Sequence, residues 1–191
     1  IVLGDDGLID FVSADGDPSD IDLIQSTSTT AYGGADTITT NGGSDIVIGG
    51  RADDTVAAGN GDNLVFGDSG QVLADTVDAP QLSGLPITLG VVESTQLDDG
   101  GNDLITTGTG NDIVVSGFGG DTVGSGDGSD VVFGDNGSID WHTPAAGPGP
   151  ARWTTGDLAV ALNAYLAGKS GTVDVPLRLY VSPSGGATLN G

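Results

Sequence analysis

The chain has 191 residues, 35 of them glycine, with no cysteine, no methionine, 4 Lys plus Arg against 27 Asp plus Glu, and a formal net charge of −23. Nucleic acid is excluded as a partner and so is insertion into or binding to an anionic membrane, because these need clustered cations or a span of roughly 18 apolar residues. The four cations here, Arg51, Arg152, Lys169 and Arg178, are scattered, and without cysteine no disulfide can staple a small core. Glu93 is the one glutamate, so the acidity is carried by aspartate, the carboxylate suited to tight turns and oxygen-rich cation sites. Hydrophobic residues make up 37% and recur in register, which argues for order that depends on counter-charge.

Residues 1–30 open on Ile1-Val2-Leu3-Gly4-Asp5-Asp6-Gly7, which matches two later stretches, Leu64 to Gly70 and Val131 to Gly137. This reads as the tail of a preceding repeat block, and the chain as a piece of something longer. Leu8-Ile9-Asp10-Phe11 alternates, Ile21 to Ile24 is mostly apolar, and Asp15 to Asp20 is turn-like. Together they predict a protruding two-stranded arm.

From residue 31 a nine-residue beat takes over. Asp36, Asp45, Asp54 and Asn63 recur at that interval, and after a break Asp103, Asp112, Asp121 and Asp130 do the same. Two residues before each anchor stands a glycine, Gly34, Gly43, Gly61, Gly101, Gly110, Gly119 or Gly128, with Ala52 the exception. Two residues after it comes an aliphatic: Ile38, Val47, Val56, Val65, Ile105, Val114, Val123 and Val132. Each unit is thus a glycine turn, an acidic anchor and one core-facing strand residue. The runs are copies of a larger block, since residues 34–70 match residues 101–137 without a gap at roughly 20 of 37 positions, an offset of 67.

The first block and its own β-arm therefore occupy residues 31–97, with Pro80 to Pro86 as loop and Ile87 to Val92 as strand, and the second block occupies 98–141. Residues 142–153 form a Pro/Gly linker. In 154–191, Thr155 to Leu166 predicts a short helix with Thr155 as N-cap and Gly168 past its end. Thr172 to Val181 then alternates as an edge strand containing Pro176. This segment is read as a cap on the last repeat or the start of another domain.

Two units make one circuit, so turns stack at every second unit: Asp36 over Asp54, Asp45 over Asn63, Asp103 over Asp121, and Asp112 over Asp130. Stacked carboxylates about 4.8 Å apart repel unless a cation lies between them. Glycine-turn carbonyls and anchor oxygens together make an all-oxygen cage of about six ligands, which selects calcium over magnesium. Zinc and copper are disfavoured, with no Cys and His142 the single histidine. Asn63 still offers an oxygen, with less charge. Asp5, Asp68 and Asp135 sit in Gly-Asp-x-Gly turns that fit a hairpin launch best and a further calcium contact second.

Gly49-Gly50-Arg51-Ala52-Asp53-Asp54-Thr55-Val56-Ala57 and Ser116-Gly117-Phe118-Gly119-Gly120-Asp121-Thr122-Val123-Gly124 resemble the repeats-in-toxin (RTX, haemolysin-type) nonapeptide, G-G-x-G-x-D-x-U-x. The resemblance covers the eight units and implies an all-β fold, a parallel β-roll (β-solenoid) here carrying inserted β-arms and a small C-terminal helix-plus-strand segment. It also implies calcium between stacked turns, in proteins that bacteria export and that fold on meeting extracellular calcium. Ala52 and Asn63 depart from the pattern.

The function expected is a non-enzymatic, calcium-dependent structural or adhesive segment of a large bacterial surface protein. Its partners would be calcium ions and other copies or neighbouring repeat domains. The alternatives are a calcium-folded export module of a secreted enzyme, or a carbohydrate- or ice-binding surface. Gly168-Lys169-Ser170 lacks the upstream glycine of a phosphate loop, and His142 has no nucleophile pattern near it.

Overall fold

Three-residue strands that are apolar at every position must be covered on both faces, and Ile46-Val47-Ile48, Leu64-Val65-Phe66, Ile113-Val114-Val115 and Val131-Val132-Phe133 are of this kind. Their sister units are not: Thr37-Ile38-Thr39 and Thr55-Val56-Ala57 bury the central residue and leave its neighbours exposed or half-buried. That alternation sets the architecture. The computed structural model describes residues 1–28, 32–76, 81–82, 84–141, 152–153 and 188–189. Its strands are β1 (Val2–Leu3), β2 (Gly7–Asp10), β3 (Leu23–Ser26), β4 (Thr37–Thr39), β5 (Ile46–Ile48), β6 (Thr55–Gly59), β7 (Leu64–Phe66) and β8 (Gly70–Ala74), followed by β9 (Leu89–Ser94), β10 (Leu104–Thr107), β11 (Ile113–Val115), β12 (Thr122–Gly124), β13 (Val131–Phe133), β14 (Ser138–Asp140), β15 (Arg152–Trp153) and β16 (Thr188–Leu189). Among the described residues all regular structure is β.

Successive nonapeptide strands alternate between two parallel sheets. One has the order β1-β5-β7-β11-β13 and the other β4-β6-β10-β12-β16. In the first, Val47, Val65, Val114 and Val132 stand in register, and in the second Ile38, Val56, Ile105 and Val123 do. These eight aliphatics, each no more than 8% exposed, meet in one core between the sheets. Among the described residues no sheet covers the outward face of the second sheet, and its row Thr37, Thr55, Leu104, Thr122 is interrupted by Leu104, which is 46% exposed.

The two arms do not protrude. Hairpins β2–β3 and β8–β9 join β14 and β15 in a single antiparallel sheet, ordered β15-β14-β9-β8-β3-β2. That sheet lies on the outer face of the first parallel sheet. Ile9, Ile24, Val72, Val92 and Ile139 form one row across it, each paired with the next. Ile24, Val72, Val92 and Ile139 are fully buried and pack in one cluster with Ile46, Ile48, Leu64, Phe66, Val115 and Phe133. The reason is the second apolar face of β5, β7, β11 and β13, which needs a cover of roughly 1.5–3 kcal/mol per buried side chain. The expected helix at 155–166 and strand at 172–181 lie outside the described residues.

Candidate metal centre

Every anchor is the last residue before a strand, so the strand stacking of the two parallel sheets lines the anchors up in two columns. Column one holds Asp36, Asp54, Asp103 and Asp121, ahead of β4, β6, β10 and β12. Column two holds Asp45, Asn63, Asp112 and Asp130, ahead of β5, β7, β11 and β13. All eight expected anchors are thereby brought together in the pairs that the nine-residue period predicts, and the two runs join through the pairs Asp54–Asp103 and Asn63–Asp112.

Except for Asp121 and Asp130, the last of each column, every anchor's backbone N–H donates to the side-chain oxygen of the next anchor. In column one the bonds are Asp36 N to Asp54 Oδ1 (2.8 Å), Asp54 N to Asp103 Oδ1 (2.8 Å) and Asp103 N to Asp121 Oδ1 (2.9 Å). In column two they are Asp45 N to Asn63 Oδ1 (3.1 Å), Asn63 N to Asp112 Oδ1 (2.9 Å) and Asp112 N to Asp130 Oδ1 (3.1 Å). One side-chain oxygen of every anchor except Asp36 and Asp45, the first of each column, is thus used to hold the stack. By contrast, Oδ2 of Asp45, Asp54, Asp103, Asp112 and Asp121 is buried and without a hydrogen-bond partner. A buried, half-satisfied carboxylate is among the costliest groups a fold can carry.

Backbone carbonyls crowd the space beside these carboxylates. A methyl built on Gly49 would lie 2.1 Å from the Gly67 carbonyl oxygen and 2.5 Å from Asp54 Oδ2. On Gly67 it would lie 2.3 Å from both the Ser116 carbonyl oxygen and Asp103 Oδ2, and on Gly4, 2.2 Å from Gly49 O and 2.7 Å from Asp36 Oδ2. Three times in column one, then, a strand-end carbonyl and a carboxylate oxygen converge where a side chain would not fit. Two acceptors facing one another call for a hard cation, and oxygen-only donors fit calcium.

Electrostatics agree. Burial is the leading cause that lifts Asp54 to about 7, and the neighbouring charges of Asp36, Asp5 and Asp53 add to it. Burial also lifts Asp103 to about 8, with Asp121 and Asp54 beside it, and raises Asp121. Charge at these positions is unfavourable until a cation compensates it.

The glycines two residues before the anchors divide by setting. Gly43, Gly61, Gly110, Gly119 and Gly128 have φ between 104° and 154°, and Ala52 shares the left-handed region at 71°. Gly34 and Gly101, where the chain returns from an arm, do not. A carbonyl role is visible at Gly61, whose oxygen accepts from the Asn63 side chain.

Two further sets of residues join the columns, Asp5 and Asp68, which the sequence offered as hairpin launches first and calcium contacts second, and the residues just before the anchors, which it did not single out. Asp5 and Asp68 start the arm insertions and reach back to close them: Asp5 accepts from Gly34 N (3.0 Å) and Arg51 N (2.7 Å), and Asp68 from Gly101 N (2.9 Å) and Phe118 N. Gly34 and Gly101 correspond, as do Arg51 and Phe118, so the staple is the same in both blocks. Asp68 is 3% exposed, and burial followed by the charge of Asp103 raises it to about 9. The hairpins do launch from these turns, at β2 and β8, yet each aspartate also binds the turn column.

The second set precedes the anchors. Ser44 Oγ accepts from Asp62 N, Asp62 Oδ1 from Asn111 N, and Asn111 Oδ1 from Ser129 N, while Asp53 Oδ1 accepts from Asn102 N and Asn102 Oδ1 from Gly120 N. This outer ladder runs opposite to the inner one. Its signal in the sequence is the recurrence of short oxygen-bearing residues just before the anchors. Apart from the columns, Asp15, Asp20 and Asp22 bring ligand oxygens within 4.8 Å of one another in the loop of the first arm, where Asp22 Oδ2 accepts from Ala14 N.

Residues 30–56, 39–71 and 98–123 match the family model of the RTX calcium-binding nonapeptide repeat. The chain carries RTX nonapeptide repeats, and these repeats bind calcium. Neither curated proteins nor solved structures gave a match.

Proposed function

We propose that this chain is a segment of a large exported bacterial surface protein in which calcium turns a loose acidic chain into a stiff β-roll, the two parallel sheets being its walls. The role is structural or adhesive rather than catalytic, and the setting is extracellular, where calcium is abundant. The observation that carries this reading is the row of buried, unpartnered Oδ2 atoms beside strand-end carbonyls. Such a stack is poorly stable alone. An ion bound only by the folded chain adds RT ln(1 + [L]/Kd), about 2.7 kcal/mol per site at a hundredfold excess over Kd, and relieves part of the −23 charge.

The arm sheet supports a tandem array. Val72 and Ile139 are buried at 0% exposure between flanking strands, whereas their counterpart Ile9, on the edge strand β2, is 37% exposed. The edge has the shape of a place for the arm of another block of the same kind, whether in the same chain or in a second copy. An ice-binding face lacks comparable support, because Leu104 interrupts the threonine row.

Far-ultraviolet circular dichroism in chelator, followed by calcium titration and a count of bound ions, tests the central claim. A rise in β signal with several ions bound is expected. An unchanged spectrum with no calcium taken up would sink it.

A further inference from the structure

Column two contains the one anchor that is not an aspartate, and its side chain behaves differently from its neighbours. Asn63 is 1% exposed. Its Oδ1 takes the place of an aspartate Oδ1, accepting from Asp45 N, while its Nδ2 takes the place of the Oδ2 that is unpartnered in Asp45, Asp54, Asp103, Asp112 and Asp121. That nitrogen donates to Gly59 O (3.1 Å), Gly61 O (2.9 Å) and Asp112 Oδ1 (3.0 Å). Two carbonyls of its own turn and a carboxylate of the next unit are therefore gathered around a donor with partial positive charge.

We propose that the Asn63 amide is a built-in substitute for an ion: it holds the oxygens of this turn together with its own N–H groups, and the turn closes without calcium. Resting on calcium as the ion of the other turns, this changes the reading of Asn63 from a weak ligand to a residue that removes a site. Its position gives the substitution a purpose. The Asn63–Asp112 pair spans 49 residues, joining the first run to the second across the inserted arm. Here Ile113 N also donates to Asn63 O at 2.8 Å. The equivalent residue one block later is Asp130, 67 positions on, which joins no further unit among the described residues. A metal-free joint between blocks lets the two runs find their register before calcium arrives. It leaves the ions to stiffen a stack that is already aligned.

The test counts ions at saturating calcium, by native mass spectrometry and calorimetry, in the wild type, Asn63→Asp and Asp130→Asn. Asn63→Asp is expected to bind one ion more than the wild type. Asp130→Asn, given the same amide in the same turn, is expected to bind one fewer. Hydrogen exchange in chelator supplies a second readout: the amides of Asn63 and Ile113 should be at least tenfold better protected in the wild type than in Asn63→Asp, and calcium should restore the variant. Equal ion counts in wild type and Asn63→Asp would overturn the inference while leaving calcium binding intact. A wild type that binds no calcium would overturn both.

Discussion

Column one carries four aspartate anchors, both arm insertions, the Asp5 and Asp68 staples and the ion pair from Arg51 to Asp99. Column two carries three aspartates and one asparagine on short turns that simply reverse the chain. The same nine-residue unit serves both, so the difference lies in how each column meets its buried charge. In column one Asp54, Asp68 and Asp103 are all pushed far above the usual carboxylate range, and no side-chain donor of the column answers Oδ2 of Asp54, Asp103 or Asp121. In column two the two N–H groups of the Asn63 amide are shared among three acceptors inside the protein. Oδ2 of Asp45 and Asp112 stays unpartnered in column two as well, so the contrast between the columns centres on Asn63, where an amide stands in for a carboxylate.

Truncation at matched places should separate the columns most strongly. Asp103→Ala removes the acceptor for Asp54 N and one oxygen of the proposed calcium cradle, and the combined loss is expected to be about 4–5 kcal/mol at saturating calcium. In chelator above about pH 8 the same change deletes a buried uncompensated charge, so its cost should shrink to near zero there, while at lower pH the carboxyl is protonated and only its hydrogen bond is lost. Asn63→Ala loses two bonds to the Gly59 and Gly61 carbonyls and one to the Asp112 carboxylate, all made inside the protein, so its cost of about 3 kcal/mol should be the same with and without calcium. Chemical denaturation of both variants in both conditions gives the four numbers. If Asn63→Ala proves as calcium-sensitive as Asp103→Ala, the columns are alike and the comparison fails.

The pH dependence of the calcium-free chain is the next largest effect, and it belongs to column one. A carboxyl whose folded pKa lies above its unfolded value of 3.8 binds protons more tightly when folded. The folded state therefore holds more protons between about pH 4 and the raised values, and stability falls as pH rises across that window. With Asp54 at about 7, Asp103 at about 8 and Asp68 at about 9, the loss should extend to about pH 9. Melting temperature in chelator should thus be higher at pH 5 than at pH 9. Calcium should reverse the trend, because protons and ions compete for the same oxygens. A calcium-free chain that gains stability toward alkaline pH would contradict the burial of these groups.

The anchors and the inner aliphatics were legible because a fixed period leaves few arrangements: strands that repeat every nine residues and alternate between two walls must stack Asp36 on Asp54 and Val47 on Val65. Placement of the arms was not, although its trace is present. The residues flanking the core aliphatic are Ile46 and Ile48 in one unit and Thr37 and Thr39 in its sister, which marks one wall as covered and the other as open. Reading a single aliphatic per unit hides that contrast. Asp68 was harder, because Gly-Asp-x-Gly is a sufficient hairpin signal and nothing local shows that its carboxylate reaches Gly101, 33 residues away. The donors of Asn63 likewise depend on carbonyls whose direction only the folded turn fixes.

The smallest predicted effect concerns Ala52, where column one departs from column two in backbone rather than charge. In column two the residue two places before the anchor is always glycine, with φ of 104°, 129°, 144° and 154° at Gly43, Gly61, Gly110 and Gly128. In column one Gly34 and Gly101 escape the left-handed region because the chain arrives from an arm, leaving Ala52 and Gly119 to meet it. Alanine at φ 71° brings its Cβ close to the following carbonyl, a cost of about 1–2 kcal/mol that glycine avoids. Glycine in turn loses about 0.5–1 kcal/mol through the freer unfolded chain. The balance favours Ala52→Gly by about 0.5–1 kcal/mol, read as a rise of a few degrees in melting temperature at saturating calcium. Because the strain is conformational and not electrostatic, the gain should persist in chelator. A gain confined to the calcium-loaded chain would mean that Ala52 acts through the ion site, not through its backbone.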